Sequence, residues 1–433
     1  MQSLWQDTVK VPRFPQQEKD LKTDVLIVGG GLTGLLCAYF LKNAGVDCLL
    51  SESDTICAHT SGHTTAKITV QHGCCYQKIL ADYGKTGAQQ YLNANRSALA
   101  AYRQICTGID CDFEEKDAVI YAYHDEEQQT LKAEENAYKL LLGMPVQKSD
   151  CEALPFPTLD ALVLPRQAQF HPLKFAAAIA KDLPILEHTR VKKFDKTTAF
   201  TEHGRIFAKR VIIASHFPFI NTHGLYFMKQ YQYRSYVLAL ENAQDVGAMY
   251  ISAFSDGLSL RNWGDILLLG GRGHKTGKKS GGFAELWAFA SSHYPGCRIR
   301  ESWATQDCMT PDDIPYIGEY ARSLPNFYVA TGFNKWGMTS AMAAAQILTD
   351  KIIGRESPNA AVFSPIRRKF KAQILVNAFT SVGHLLCPLP HRCSHLGCAL
   401  RYNKAEHSWD CPCHGSRFSK KGKILDGPAN RPL

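Results

Sequence analysis

The distribution of hydrophobic and polar residues predicts a strand, a turn, a helix and a second strand near the start of the chain. Residues 24–28 form a short apolar run rich in β-branched side chains, and glycines follow it directly. Residues 32–43 carry apolar side chains at helical spacing, and residues 46–52 form the next apolar run. This order of elements is typical of a βαβ unit with parallel strands.

The remainder of the chain mixes helical patterns with alternating ones. Helical periodicity covers residues 78–106, 126–142, 172–180 and 339–353. Apolar runs at residues 211–214 and 326–330 predict buried strands, whereas residues 233–239 and 265–269 alternate between apolar and polar positions. Alternation favours an antiparallel sheet, which we expect between about residues 222 and 300. A basic, proline-containing linker is expected after residue 355.

A glycine-rich turn separates the first predicted strand from its helix. Gly29, Gly31 and Gly34 fit the pattern G-x-G-x-x-G, which allows a tight turn, a close approach of the backbone to a pyrophosphate and close helix packing. The helix that follows offers free N–H groups to phosphate oxygens. Glu52 ends the second strand, where a carboxylate accepts a hydrogen bond from a ribose hydroxyl and repels a 2′-phosphate. The motif therefore predicts a dinucleotide other than NADP, with a purely structural turn as the alternative.

Three further blocks resemble a known family. Residues 310–318 (TPDDIPYIG) and 326–339 (NFYVATGFNKWGMT) resemble flavin motifs of the glycine oxidase, sarcosine oxidase and D-amino-acid oxidase family, and residues 211–215 (VIIAS) resemble its strand beneath the adenosine. Together the blocks span residues 22–355. The resemblance implies FAD as the cofactor and an α/β fold, in which an antiparallel sheet covers a doubly wound, Rossmann-type domain. The alternative is that the glycines of the last block only cap and admit a helix.

The resemblance also implies a division of the chain and a set of residues around FAD. The FAD-binding domain is expected over residues 1–75, 151–221 and 301–355, and the substrate or cap domain over residues 76–150 and 222–300. The stretch that ends at Lys67 is expected to run along the pyrophosphate and the flavin ring. The residues expected to bind FAD are Gly29, Gly31, Gly34, Glu52, Thr64, Thr65, Lys67, Val191, Ala214, Gly332, Trp336, Gly337 and Met338.

One position departs from the family and bears on the substrate. Aligned without gaps on Trp303 and Thr310, Asp307 stands where glycine oxidase-like enzymes have an arginine that pairs with the substrate carboxylate. A carboxylate side chain is unable to replace that bidentate pairing. The other candidates for proton transfer near the ring are His72, His171, His274 and Lys275. For each of them the alternative is a structural or surface role.

Two short motifs near the C-terminus each offer one thiolate and one imidazole. They are Cys393-Ser-His395 and Cys411-Pro-Cys-His414. The pair resembles a Rieske signature and implies a [2Fe–2S] cluster with the two cysteines on one iron and the two histidines on the other. A zinc site is the alternative, since two cysteines and two histidines also suit tetrahedral zinc, although the spacings differ from those of zinc fingers.

The region around these motifs carries two more expectations. Cys398 and Cys413 stand where a subset of Rieske proteins joins its two ligand loops by a disulfide, so the resemblance implies that bridge. The linker and Rieske segment would occupy residues 356–433 and form a short all-β unit. Only about forty residues separate the last flavin helix from Cys393. The segment is therefore shorter than usual, and we expect it to lean on the FAD-binding part.

Composition and charge narrow the class of protein. With 45% hydrophobic and 21% charged residues the chain is typical of a globular protein, and no segment is predicted to span a membrane. Ten of its fifteen cysteines are scattered without a disulfide framework, and the other five cluster near the C-terminus. The scattered thiols and the absence of a secretory signal in the first residues favour a cytoplasmic location. The net charge of +9 lies entirely in residues 355–433, with thirteen Lys or Arg against four Asp or Glu. Nucleic-acid binding is therefore poorly supported, and an acidic protein partner is favoured.

The sequence predicts an oxidoreductase that oxidises a small substrate, in the first place an amine, at FAD and passes electrons through the cluster to a one-electron acceptor. Two alternatives remain open at this point. The cluster could instead deliver electrons to FAD for a reduction, or the protein could be a redox sensor or a regulatory binding protein.

Overall fold

A computed structural model describes residues 2–143, 146–254, 257–278, 281–367 and 371–433. We call residues 2–367 the main body and residues 371–433 the cluster segment. Within the described ranges the helices are α1 (Leu4–Thr8), α2 (Leu32–Asn43), α3 (Tyr76–Cys106), α4 (Asp125–Leu142), α5 (Pro172–Ala180), α6 (Tyr226–Lys229), α7 (Phe283–His293), α8 (Gly337–Ile352) and α9 (Ala372–Leu386), with 3₁₀ turns at Thr60–His63 and Ala361–Phe363.

The strands of the described ranges belong to three sheets. In chain order they are β1 (Leu21–Val28), β2 (Cys48–Ser51), β3 (Lys67–Ile68), β4 (Glu114–Ala122), β5 (Gln147–Lys148), β6 (Asp160–Gln169), β7 (Ile185–Leu186), β8 (Lys193–Asp195), β9 (Thr198–Phe200), β10 (Arg205–Ile213), β11 (Tyr231–Glu241), β12 (Met249–Ser252), β13 (Ser259–Trp263), β14 (Ile266–Lys275), β15 (Arg298–Met309), β16 (Tyr316–Ala321), β17 (Leu324–Thr331), β18 (Arg401–Asn403), β19 (Ser408–Asp410), β20 (Arg417–Ser419) and β21 (Ile424–Asp426).

The first sheet is the predicted doubly wound one. Its main strands lie in the order β16-β17-β10-β1-β2-β7, and β1, β2, β7, β10 and β17 are parallel. Both faces are covered, which explains why β1 is a continuous apolar run rather than an alternating one. Helix α2 follows β1 directly, and eight of its twelve residues are buried, since it packs between this sheet and α8. The carboxyl ends of β1, β2 and β10 thus meet at one edge.

The second sheet confirms the predicted antiparallel pattern and extends it. Its strands lie in the order β15-β11-β14-β13-β12-β4-β6-β3, with β5 beside β6, and the pair formed by β4 and β12 is parallel. Strands β6 and β15 belong to this sheet, although they lie mainly in ranges that the sequence assigns to FAD binding. The largest hydrophobic core lies between the two sheets and continues around α2, α3 and α8.

The cluster segment combines one helix with a small antiparallel sheet. Strands β18 to β21 form the sheet in chain order and all follow Cys398. Helix α9 occupies part of the range expected to be a linker, so that expectation was wrong at residues 372–386. The segment has a core of seven buried residues, four of which are cysteines: Cys393, Cys398, Leu400, Cys411, Cys413, Phe418 and Ala429. A core this small explains why the segment packs on the main body.

Candidate flavin and cluster sites

A cavity of about 790 Å³ lies between the two large sheets. The turn after β1, the end of β2 and the start of α8 form one side of it. Strands β11, β14 and β15 form the opposite side, and residues 423–428 of the cluster segment close one end. The cavity therefore contacts all three parts of the fold.

The glycine turn packs too closely for side chains. Gly29 has φ +114°, and a Cβ there would lie 2.6 Å from the carbonyl oxygen of Ala214, while a Cβ at Gly34 would overlap the carbonyl oxygen of Gly29. The carboxylate of Glu52 accepts a hydrogen bond from the amide of Gly30 at 2.6 Å. The amide of Leu32 donates to the Ser61 hydroxyl at 2.9 Å, so the turn is also held from the opposite side.

The residues expected around FAD lie together. Gly34 packs under the turn, and the others line the cavity: Gly29, Gly31, Glu52, Thr64, Thr65, Lys67, Val191, Ala214, Gly332, Trp336, Gly337 and Met338. They come from segments as far apart as β1 and α8. A dinucleotide-sized space beside a side-chain-free backbone turn fits FAD.

His72 lies in the cavity lining in a fully bonded position. Its imidazole contacts the Tyr91 hydroxyl at 2.7 Å and the Thr339 hydroxyl at 2.9 Å, and it stacks on Trp336 with ring centroids 4.9 Å apart. Burial lowers the pKa of His72 to about 3, so the ring is neutral at physiological pH. Its bonds orient the start of α8 and leave it little freedom to move protons.

Lys67 lies in the lining of the cavity, where its surroundings lower its pKa. Its ammonium donates to the Ser259 hydroxyl, and Arg261 lies nearby, with Nε donating to the Thr65 carbonyl at 2.6 Å. Burial, together with the positive charge of Arg261, lowers the pKa of Lys67 to about 7. The sequence analysis assigned Lys67 to cofactor binding, and this environment also equips it to exchange a proton.

Strands β11 and β15 contact the cavity on one face and the ligand loop around Gly415 on the other, and we call them the β11–β15 pair. Tyr233 is opposite Asp307 in the register. Asp307 faces the cavity, and burial raises its pKa, although Lys335, His216 and Arg234 act in the other direction. Because side chains alternate along a strand, the neighbouring residue, Gln306, faces the cluster segment and donates to the Gly415 carbonyl at 2.8 Å.

Three of the other predicted proton-transfer candidates are outside the described lining of the cavity. His171 caps α5 by accepting from the Lys174 amide at 3.2 Å, and its ring packs against Trp5. His274 stacks on Tyr236 and contacts its hydroxyl at 3.0 Å. Lys275 lies over the Tyr231 ring, 5.5 Å from its centroid.

His216 is a lining residue that the sequence analysis missed. Its Nε2 is buried and has no hydrogen-bond partner in the described part of the chain. Burial alone lowers the pKa of His216, but Cys308, Asp426 and Asp307 together raise it to about 9. A lone histidine after a strand gives no sequence signal, because the two acids come from segments 91 and 210 residues further on.

The two predicted cluster loops have matching closures. The Gly397 amide donates to the Cys393 carbonyl at 2.9 Å, and the Gly415 amide donates to the Cys411 carbonyl at 3.0 Å. Both glycines have positive φ, +78° and +76°, which permits such tight turns. The rings of His395 and His414 lie with centroids 5.1 Å apart and nearly perpendicular. The loops therefore bring all four predicted ligands together.

Unpartnered polar atoms mark the space between these loops. Nδ1 of His395 and both ring nitrogens of His414 are buried without hydrogen-bond partners among the described residues, as is the Ser416 hydroxyl. Such atoms are costly unless something satisfies them. Two imidazoles and the adjacent thiols of Cys393 and Cys411 are the donor set that a Rieske cluster requires, so these residues fit the group.

Cys398 and Cys413 lie beside the ligand cysteines. The sulfurs of Cys398, Cys411 and Cys413 are all within 4.8 Å of one another. All fifteen cysteines of the structure are free thiols, so the Cys398–Cys413 bridge stays a prediction.

The histidine side of the cluster site faces the main body rather than solvent. His414 is 1% exposed and contacts Phe217 and Phe227, with ring centroids 6.2 and 5.8 Å away. Nε2 of His395 is hydrogen-bonded to the side chain of Asn221 at 2.9 Å. Phe217 also lines the cavity, so it contacts both sites.

A buried ion cluster and two glycine contacts hold the segment in this position. Glu406 pairs with Arg234 of β11 and with Arg417, at 2.7 Å for the latter, and the three side chains are at most 8% exposed. A Cβ at Gly415 would overlap Gln232, and one at Gly277 would lie 2.5 Å from Cβ of Pro412. The expectation that the segment leans on the main body is thus confirmed.

Family models match both parts of the chain. The DAO model, described as FAD dependent oxidoreductase, matches residues 24–351, and the model described as Rieske [2Fe-2S] domain matches residues 369–433. The Rieske match decides against the zinc alternative. No helix in the described ranges is both long and apolar enough to cross a membrane.

Curated relatives and solved structures agree with this division. The chain is 33% identical to YhfW of Bacillus subtilis, named as a Rieske 2Fe-2S iron-sulfur protein, over 100% of this chain and 97% of that one. It is 49% identical over 43 residues to the cytochrome b6-f complex iron-sulfur subunit 2 of Trichormus variabilis, which covers 10% of this chain and 24% of that one. Glycine oxidase from Geobacillus kaustophilus has a TM-score of 0.68 at 21% identity, covering 81% of this chain and 100% of that one. L-proline dehydrogenase from P. horikoshii has a TM-score of 0.67 at 19% identity, covering 82% and 98%.

Proposed function

We propose, on the premise that this chain belongs to the FAD-dependent oxidoreductase family and carries a Rieske [2Fe–2S] domain, that it oxidises a small amine and passes the electrons to a one-electron acceptor. When bound, FAD takes up electrons in pairs and the cluster carries them singly. The protein is an oxidoreductase with both cofactors; the substrate and the direction of electron flow are what we propose.

The observation that carries the proposal is the burial of His395 and His414 against the main body. Phe217 contacts the rings of both histidines and also lines the cavity. A ligand pair that faces inward favours exchange with the flavin side over direct contact with an external donor. This supports electron exchange between FAD and the cluster, the step by which the proposed oxidation at FAD would be linked to delivery through the cluster segment.

The proposed residues follow the sequence prediction. Cys393, Cys411, His395 and His414 would hold the cluster, and the glycine turn with the lining of the cavity would hold FAD. The proposed division assigns residues 356–433 to the linker and Rieske segment and the rest to the FAD-binding and substrate parts.

The lining of the cavity supports an amine without a carboxylate at its reacting end. Asp307 takes the position of the family's carboxylate-binding arginine, and it faces the cavity. A buried acid repels a substrate carboxylate and attracts a protonated amine. Glycine oxidase and L-proline dehydrogenase are named for amino acids, and Asp307 is the reason to propose a different class here.

Two residues of the lining are proposed to manage protons. Lys67, whose pKa is lowered to about 7, is able to accept a proton from a bound ammonium. His216 is held protonated by Cys308 and two acids, and it would balance negative charge at the end of the cavity next to the cluster segment.

Anaerobic rapid mixing of the holoprotein with a panel of primary and secondary amines tests the proposal. An active amine should bleach the flavin absorbance first and the cluster absorbance afterwards, within the time of one turnover. In Cys411→Ser the flavin should still bleach, while reduction of a one-electron acceptor such as cytochrome c fails. Cys387→Ser is the control, because Cys387 is partly exposed and lies outside the ligand loops.

Two outcomes would overturn it. Reduction of the cluster by an external donor before the flavin would support the reverse direction. A flavin that no amine reduces, combined with a change of binding partner on oxidation, would support a sensor.

The acceptor is proposed to be an acidic protein, and the location cytoplasmic. The excess positive charge lies in residues 355–433, next to the cluster, and the ten free cysteines of the main body suit a reducing compartment. The rate of electron transfer to the acceptor should then fall as ionic strength rises, since exposed charges are screened beyond about 8 Å at physiological salt. A rate that is independent of salt would contradict an acidic acceptor.

A further inference from the structure

Helix α9 is oriented with its apolar side outwards. Leu375, Val376, Phe379, Val382 and Leu386 are 47%, 49%, 74%, 52% and 79% exposed. Their spacing at i, i+1, i+4, i+7 and i+11 places them on one side of the helix. The exposed row is therefore a continuous stripe about 17 Å long, at 1.5 Å per residue.

The side of α9 that faces the protein is the polar one. Asn377 is 4% exposed, and its side-chain amide donates to the Met228 carbonyl at 3.1 Å. Gln373 donates to the Asn377 side chain at 2.9 Å. A surface helix of a globular protein normally buries its apolar stripe, so the orientation of α9 is the reverse of the usual one. A stripe of this size marks an interaction surface.

The charge around the stripe identifies what covers it. Residues 387–405, which follow the helix directly, carry three exposed basic side chains, Arg392, Arg401 and Lys404, and no Asp or Glu. Arg392 donates to the carbonyls of His384 and Leu385 in the last turn of the helix. The helix itself carries no Asp, Glu, Lys or Arg. An apolar stripe without charges, in a stretch that is otherwise only basic, is the composition of a helix that lies in the interface of an anionic bilayer. A second copy of this chain would bring the same positive charge and be repelled.

We propose that α9 docks the protein on the surface of an anionic lipid membrane, with the apolar stripe in the acyl boundary. This goes beyond the proposed function and does not depend on it. The helix would lie on the membrane surface, because its fifteen residues are too few to cross a bilayer.

Docking there would place the lipid surface next to the cluster site. The His384 carbonyl, in the last turn of α9, accepts from the Ala399 amide at 2.9 Å, and the Thr380 carbonyl accepts from the Cys413 thiol at 3.9 Å. Both ligand loops are thus bonded to the helix. A helix is about 10 Å across, so an acceptor at the membrane surface would be within that distance of the loops.

Sedimentation of the holoprotein with sucrose-loaded vesicles tests the proposal. Vesicles of phosphatidylcholine with one quarter phosphatidylglycerol should carry most of the protein down, and pure phosphatidylcholine several-fold less. In Phe379→Ser/Leu386→Ser, binding to the anionic vesicles should fall at least tenfold. Both side chains are more than 70% exposed, so the FAD and cluster spectra should not change.

A matched control and two contrary outcomes complete the test. Leu140→Ser changes an exposed leucine of α4 (50% exposed) and should bind vesicles like the parent protein. Equal vesicle binding by the double variant and the parent, or no binding by either, would overturn the proposal. So would a dimer in analytical ultracentrifugation that the double variant dissociates, because the stripe would then bind a second copy.

Discussion

The main body and the cluster segment are stabilised by different means. The main body has two large sheets around a core of dozens of buried apolar side chains. The cluster segment has four short strands and a core of seven residues; four of those are cysteines, of which Cys393 and Cys411 are predicted ligands. Small domains with such cores depend on a metal or on a partner surface for stability.

The main body and the cluster segment also differ in net charge and in the charges that they bury. The main body has a net charge of only +1, and burial in its cavity disfavours the charged form of Lys67, whose pKa is lowered to about 7. The cluster segment carries nine Lys or Arg against three Asp or Glu, a net charge of +6, and it buries Glu406 and Arg417 in a network with Arg234 of β11. The lesson is that the main body is expected to fold by itself, whereas the cluster segment requires both its cofactor and the body.

Removal of a cluster ligand should give the largest effect. Cys393→Ser should lose the cluster absorbance and leave residues 393–433 open to proteolysis, because structural metal centres contribute about 10 kcal/mol or more to the folding of small domains. Flavin absorbance should remain. Limited proteolysis with mass spectrometry measures both regions at once. A segment that stays protected in the variant would show that the cluster segment does not need its cofactor to remain folded.

Substitution in the glycine turn should affect the other region. Gly34→Ala would force a Cβ onto the Gly29 carbonyl, and overpacking of this kind costs about 1–3 kcal/mol. We expect protein purified with little or no FAD, measured as the ratio of flavin to protein absorbance. Gly108→Ala is the control, because no atom lies within 4 Å of the added Cβ. Full flavin content in Gly34→Ala would show that the turn is not the pyrophosphate site.

Breaking the buried ion cluster should weaken the contact between the regions. Glu406→Gln leaves Arg234 and Arg417 with one neutral partner, and loss of one member of a buried pair costs about 3–5 kcal/mol. The urea concentration at which the cluster absorbance is lost should therefore fall in the variant. It should lie below the concentration at which the flavin is released. Glu115→Gln, which changes an exposed pair with Arg103, should leave the transition in place.

The pH dependence of stability should report on one buried group of the main body, Lys67. Its pKa is about 7 in the folded protein and 10.5 ordinarily, so the unfolded chain binds a proton between those values that the folded chain does not. The free energy of unfolding therefore rises with pH through this window. Lys67→Met should raise the melting temperature at pH 6 and do so less at pH 9, as measured by calorimetry. Lys22→Met, at an exposed site, is the control, and an equal gain at both pH values would contradict the assignment.

Features encoded within a short stretch were predictable from the sequence. The strand, the glycine turn and helix α2 were predicted from consecutive residues, and the structure has the helix at the expected residues 32–43. The two ligand loops were likewise found from their spacing, since each closes within five residues. In both cases a tight turn requires glycine and the bound group requires particular side chains, so the motif is visible in consecutive residues.

Features that depend on distant contacts were not predictable. Phe217 and Asn221 contact histidines more than 170 residues further along the chain, and nothing near them marks that role. Helix α9 was missed because its apolar stripe faces outwards and its polar side is buried. This is the reverse of the usual amphipathic helix, and the stretch was therefore interpreted as a linker. His171, a proton-transfer candidate in the sequence, instead caps α5 and contacts Thr8 and Trp5 from the N-terminus, which only the tertiary fold brings close.

The glycine contacts between the regions also bear on how such proteins diversify. Gly415 and Gly277 bring backbone against the opposing surface with no room for a side chain. A Rieske segment transplanted from another protein would need glycine at the first position, and the new host would need it at the second. Recombination of cofactor domains within this architecture should therefore succeed only when both partners are exchanged together.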